Sequence, residues 1–227
     1  FAQFAWKKNP NFLIDTPGDN NFIGDLPYLL QGADNVVLVL DAIDGVKPLT
    51  KKIWSEAVKA NLPAMVFVNK MDRERANFQM AYQGLSEILG LKPVLLYMPI
   101  GSEADFRGLV DILAEKAYAF DDKGGLTPMD MPEDLADEVT MTREIAVENI
   151  AESSEELMEK YLEEGSLTPE EMISGLRAGV AARTLVPVCA GSAMQNKGAA
   201  ALLDTIQNVM TSPLEHQPWF DAEGNER

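Results

Sequence analysis

The sequence predicts an α/β fold, a mostly parallel sheet between helices, interrupted by an α+β insertion. Three observations predict it. Continuous apolar runs such as Asn35–Asp41 (NVVLVLD) and Ala64–Asn69 (AMVFVN) alternate with amphipathic helical stretches, the pattern of parallel strands covered on both faces. After Leu89 strands follow strands, and then helices follow helices. Alternation returns with Leu185–Ala190 (LVPVCA) and Lys197–Met210.

In chain order, Phe1–Trp6 and Phe12–Asp15 read as strands joined through the turn-rich KKNPN. Phe22–Gly32 reads as a short helix ended by glycine. Asn35–Asp41 is a strand and Pro48–Ala60 a helix with Ile53, Trp54, Ala57 and Val58 on one face. Ala64–Asn69 is the next buried strand and Asn77–Leu89 the next helix. Val94–Met98, Phe106–Ile112 and Lys116–Phe120 form the strand group of the insertion. The helical group is strongly acidic: Asp130–Glu171 holds fifteen acids against Arg143 and Lys160. The expected division is therefore core (1–89), acidic α+β insert (90–183), core again (184–212), and a Pro-containing linker with His216 (213–227).

The chain has 227 residues, 46% hydrophobic, enough for a sizeable core. Its formal charge of −17 argues against gripping nucleic acid, which needs a cationic surface. No apolar run reaches the ~18 residues of a membrane span. The opening FAQFAWKKNP has neither a signal-peptide layout nor an initiator Met, so the chain reads as a piece of a longer polypeptide. One cysteine, Cys189, excludes an internal disulfide and suits a reducing cytoplasm. It reads as a core residue rather than a nucleophile, because the only histidine, His216, lies in the tail. A metabolic enzyme would need His or Cys near strand ends, and neither is well placed. The eleven methionines are scattered and read as core filling.

Three loops carry chemistry. In Asp15-Thr16-Pro17-Gly18, an apolar run delivers one carboxylate to a strand end, where it would hold Mg²⁺ beside a triphosphate. Gly18 lets a backbone N–H approach a terminal phosphate. The same letters also fit an ordinary turn capped by Asp. Asn69-Lys70-Met71-Asp72 follows AMVFV. There the Asp72 carboxylate would accept both N1–H and the 2-amino group of guanine, a donor pair adenine lacks. Asn69 would reach the base and tie loops together, with the Lys70 stem along the ring. Gly191-Ser192-Ala193 follows another buried strand, and its small residues would let N–H groups meet the guanine carbonyl. Each loop is expected at the carboxyl end of a parallel strand, where open α/β sheets bind ligands.

IDTPG, NKMD and GSA, in this order, resemble the third, fourth and fifth motifs of a GTP-binding domain. NKMDRERANF, PIGSEADFRGLVDIL, ESSEELMEKYLEEGSLTPEE and GSAMQNKGAAALLD narrow the resemblance to elongation factor G, the ribosomal translocation GTPase. Peptide-release factor three and the ribosomal-protection proteins are related alternatives. The resemblance implies a P-loop NTPase-type GTPase sheet with an inserted subdomain, GTP/GDP and Mg²⁺ as ligands, and a cytoplasmic protein acting on the ribosome. It also implies that the acidic insert meets the ribosomal stalk protein. Two departures stand out. No G-x-x-x-x-G-K-[ST] occurs, so the first strand and phosphate loop are missing, which truncation would explain. The family's His after DTPG, which helps orient the attacking water, is replaced by Asp19. Asp19 is thus the catalytic candidate. The rival reading is a GTP-sensing module that docks on the ribosome and hydrolyses weakly.

Overall fold

The computed structural model describes residues 1–19, 21 and 23–215. Phe22 and the tail from His216 onward, including most of the expected linker, lie outside the described residues.

The chain opens with a hairpin, β1 (Ala2–Trp6) and β2 (Asn9–Leu13), paired antiparallel as a sheet of its own. The sequence places the second strand at 12–15. It starts earlier because Lys7 and Lys8 both take left-handed backbone (φ 45° and 74°), closing the hairpin in two residues. Pro10 and the two asparagines of the sequence turn signal are therefore absorbed into the strand. Trp6 fastens the hairpin by donating its indole N–H to Asp204 Oδ1 at 2.7 Å.

The remaining strands form one seven-stranded sheet, ordered β3-β4-β9-β5-β6-β7-β8. A short 3₁₀ turn and α1 (Leu26–Leu30) lead into β3 (Val36–Asp41), α2 (Pro48–Lys59), β4 (Ala64–Asn69) and α3 (Phe78–Leu89). Asn77 caps α3 by accepting the Met80 N–H at 2.9 Å, and Gly90 ends it in left-handed conformation. Then come β5 (Pro93–Ile100), β6 (Gly108–Asp111), β7 (Lys116–Phe120) and β8 (Leu126–Met129). The acidic stretch folds as α4 (Ala136–Ala151), α5 (Glu155–Glu164) and α6 (Pro169–Ala181). Thr168 and Glu171 start α6 with a reciprocal capping box that spans Pro169 at the first helical position. Strand β9 (Val186–Ala190) and α7 (Ala199–Val209) complete the fold.

Strands β3, β4, β9 and β5 run parallel, whereas β6, β7 and β8 continue antiparallel from β5. Strand β5 falls within 90–183, yet it pairs parallel with β9 and belongs to the same sheet. The core is continuous from β3 to α7, with Met65, Val66, Val188, Leu109 and Ile150 fully buried. Two further sequence expectations change. Strand β8 (LTPM) is additional to those expected, and β3 is covered on both faces only in part, with Val39 57% exposed at the edge of the sheet.

Candidate functional site

The site is built where β4 and β9 end side by side. Their parallel pairing sets Val66 opposite Val188 and Val68 opposite Ala190, so the loops that follow emerge as neighbours. Gly191 makes that closeness possible. A Cβ there would lie 2.5 Å from both the Phe67 ring (Cζ) and the Lys197 carbonyl, contacts no side chain tolerates.

Asn69, the last residue of β4, ties the two loops through one oxygen. Its Oδ1 accepts the Lys70 N–H at 2.8 Å and the Ala193 N–H at 2.9 Å. The Met71 N–H donates to the Gly191 carbonyl at 3.1 Å, a second link, and Met71 itself is buried. Lys70 sits in left-handed backbone (φ 66°), a conformation that costs a non-glycine residue on the order of 1 kcal/mol and persists only when its surroundings hold it. Here the holding bonds are the Asn69 side-chain oxygen behind and a salt bridge ahead, Lys70 Nζ to Asp41 Oδ2 at 2.5 Å. Burial alone would raise the Asp41 pKa. The Lys70 hydrogen bond and the Ile43 N–H outweigh it, and the carboxyl is held below its ordinary value. The Lys70 ammonium is thus committed to Asp41, and only its stem is left uncommitted.

Asp72 differs from every other carboxylate of the site. Its side chain is 9% exposed. Oδ2 accepts a long 3.3 Å bond from Gln195 Nε2 and faces Arg73 Nε at 3.9 Å. Oδ1 is buried with no hydrogen-bond partner. A buried acceptor left unpaired costs about 1–3 kcal/mol, and such a group marks a place where a donor belongs. Ser192 is almost wholly buried; its backbone pairs with Lys197 in both directions, at 2.8 and 3.0 Å. Ala193 beside it is exposed.

The structure therefore brings Asn69, Lys70, Met71, Asp72, Ser192 and Ala193 together. It does not bring the DTPGD residues to them. Among the described residues strand β2 pairs with β1 alone, so Asp15, Thr16, Pro17 and Gly18 follow a hairpin strand rather than the expected strand of the parallel sheet. Asp15, Gly18 and Asp19 are exposed, and among the described residues no hydrogen bond joins 15–19 to either loop. Asp19 turns back on its own chain, its Oδ1 accepting the Asn21 N–H at 2.8 Å. Among the described residues no cluster of three or more His, Cys, Asp or Glu could hold a metal ion, and no helix is long and apolar enough to cross a membrane. Cys189 is buried against the Thr205 hydroxyl, and burial pushes its thiol up to about 12, which fits a core residue.

Sequence reasoning passed over Asp41, Gln195 and Lys197. Asp41 ends an apolar strand as Asp15 ends another apolar run, a signal that was present. Gln195 and Lys197 sit in the loop before α7, which begins at Ala199 rather than at the expected Lys197, and no motif marks them as functional.

A seven-stranded mixed sheet with paired loops at the ends of its central parallel strands is the architecture of a GTPase domain. A model of the family described as the elongation factor Tu GTP binding domain matches residues 1–212. The chain belongs to that family of GTP-binding domains. It is also similar to a crystal structure from Thermus thermophilus, with 29% identity and a TM-score of 0.87 over 94% of this chain. The chain spans 32% of the length of that relative.

Proposed function

We propose that the chain is the GTPase domain of a ribosomal translocation factor of the elongation factor G type, coupling GTP binding and hydrolysis to tRNA and mRNA movement in the cytoplasm. The observation that carries the base half of this reading is the unpartnered Oδ1 of Asp72 beside the weakly engaged Oδ2. A buried carboxylate with two acceptors to offer suits the N1–H and 2-amino donors of guanine. Asn69 holds the opposite wall, where the Ser192 and Ala193 backbone would stand beside the guanine carbonyl, their own N–H groups being donated to Lys197 and Asn69.

The phosphate half rests on the sequence. Asp15 is a single exposed carboxylate, which fits Mg²⁺, an ion that takes one or two carboxylates and completes its shell with water and phosphate oxygens. When bound, the ion would neutralise charge developing on the phosphates. Thr16, Pro17 and Gly18 would shape the turn, with Gly18 open to a terminal phosphate. We assign 1–89 and 184–212 to the GTPase core, 90–183 to an insert whose first strand, β5, joins the core sheet and which meets the ribosomal stalk protein through α4–α6, and 213–227 to a linker.

Asp19 supports a second reading. A carboxylate accepts hydrogen bonds but donates none, so it cannot give the transition state the donor character of a histidine. The alternative is a ribosome-docking, GTP-sensing module with weak hydrolysis. Two measurements separate the claims. Titration of this chain with GDP and ADP tests the base pocket: GDP binds in preference to ADP, weakly because no G-x-x-x-x-G-K-[ST] loop is present. Equal binding of the two removes the guanine reading. Ribosome-stimulated phosphate release by the longer protein then separates a translocase from a sensor.

A further inference from the structure

Lys197 has no role in the reading above, and its surroundings are unusual for a lysine. Its ammonium donates to the Phe106 carbonyl at 2.8 Å. It also lies 5.7 Å from the ring centroids of both Phe106 and Phe120, within cation–π range of each. The two rings meet edge to face at 5.1 Å, and Phe106 is 1% exposed. The side chain is thus held by two aromatic faces and one carbonyl, a geometry that fixes position more closely than a solvated ion pair does. Phe106 precedes β6 and Phe120 ends β7, so this socket belongs to the antiparallel half of the sheet.

The backbone of the same residue closes the loop after β9. Lys197 N–H donates to the Ser192 carbonyl at 3.0 Å, and Ser192 N–H to the Lys197 carbonyl at 2.8 Å. The residue after Ser192, Ala193, is the one that Asn69 ties to β4. A neighbouring contact repeats the arrangement. Asn196 Nδ2 donates to the Lys123 carbonyl at 2.7 Å, and Gly124 (φ 81°) packs so closely that a Cβ there would lie 2.1 Å from the Asn196 carbonyl oxygen. Residues 192–197 are therefore gripped from the β6–β8 side by two independent contacts.

We infer that Lys197 is a positioning residue for guanine recognition: by seating its ammonium between Phe106 and Phe120 it fixes the Ser192–Lys197 bridge, and with it the backbone of the 192–197 loop that walls the carbonyl side of the base. It acts through that loop and does not touch the nucleotide. The inference rests on the guanine reading of the pocket.

The test uses the 227-residue chain as native, Lys197→Met and Lys197→Arg. Methionine keeps an unbranched side chain and loses the charge; arginine keeps a cation. NMR amide exchange reads the Ser192 and Lys197 N–H groups, and GDP and IDP titrations read the base pocket. Lys197→Met speeds exchange of those two amides about ten-fold while β9 stays protected, and weakens GDP and IDP alike by about five-fold. The GDP to IDP ratio stays constant, because inosine keeps the carbonyl and lacks only the amino group that Asp72 reads. Lys197→Arg restores most of both effects. Phe120→Leu removes one wall of the socket, keeps the lysine, and gives a weaker form of the same pattern, including if Lys197→Met does not fold. Unchanged exchange at Ser192 and Lys197, exchange that rises equally through β9, or faster exchange with unaltered GDP affinity would each overturn the role. If the native chain does not prefer GDP to ADP, the guanine reading fails instead, while the exchange data still judge the clasp.

Discussion

The two ends of the proposed nucleotide site are built to different standards. At the base end, Asn69 Oδ1 joins both loops, Lys70 is pinned to Asp41, and Met71 and Ser192 are buried. At the phosphate end, Asp15, Gly18 and Asp19 lie exposed on a segment that follows an independent hairpin. The difference teaches that the proposed base end is preorganised by the sheet itself, because adjacent parallel strands deliver both loops. Among the described residues the DTPGD segment has no such neighbour. Ordering it is a separate cost, met by whatever occupies it.

The largest test of that contrast is Asp72→Asn. Exchanging one buried acceptor for a donor reverses the preference between GDP and XDP, whose 2-oxo group accepts a bond, a swing of about 100-fold. Competition binding measures it, and an unaltered preference for GDP would remove Asp72 from the pocket. Next in size is a pair of glycine substitutions. Gly191→Ala forces a Cβ into the Phe67 ring and the Lys197 carbonyl and destabilises the chain by about 2 kcal/mol. Gly18→Ala meets no heavy atom within 4 Å and changes stability by less than about 0.5 kcal/mol. Urea unfolding of the two variants checks both; equal losses would mean the ends do not differ in packing.

Asp19→His comes third. In the longer protein it raises ribosome-stimulated GTP turnover several-fold, on the order of 1 kcal/mol in barrier, and leaves GTP affinity within a few-fold. Multiple-turnover phosphate release with and without ribosomes decides it, and slower turnover would make Asp19 a working replacement. The smallest effect concerns pH. The Asp41 carboxyl is depressed in the folded chain, so its stabilisation is complete above its ordinary value of 3.8 and is lost as pH falls through the lower folded value. Because Lys70 is half exposed, the pair contributes less than about 1 kcal/mol. Lys70→Met should abolish that acid-limb component of the urea midpoint and leave the neutral-pH limb nearly flat.

Much of this was legible in the sequence, for physical reasons that vary by element. AMVFVN and LVPVCA read as strands because only a central parallel strand sustains a continuous apolar run, and β4 and β9 are buried along nearly their whole length. The loops after them stand out because side-chain chemistry and strand end coincide there. Strand β8 escapes notice because LTPM is four residues long, contains proline and has little apolar alternation. The start of β2 is hidden because Pro10 and its flanking asparagines read as a turn, while the actual turn uses two lysines in left-handed backbone. Exposure of Val39 cannot be read from NVVLVLD, since the run states a strand's composition and not which strands lie beside it. Lys197 is invisible for a similar reason: its two rings come from residues 91 and 77 positions earlier in the chain.

Strand β8 closes one border of the sheet, pairing with β7 on its inner side and with no strand beyond it among the described residues. Its exposed Pro128 stands opposite Tyr118 and has no N–H to give. In a strand of four residues that gap removes a large share of what a foreign backbone could bond to, and proline at a border is a recognised guard against edge-to-edge aggregation. The opposite border, β3, has no proline between Val36 and Asp41 and shows Val39 to solvent. Self-association of this chain at high concentration should therefore be lopsided, proceeding from the β3 border while the β8 border stays inert.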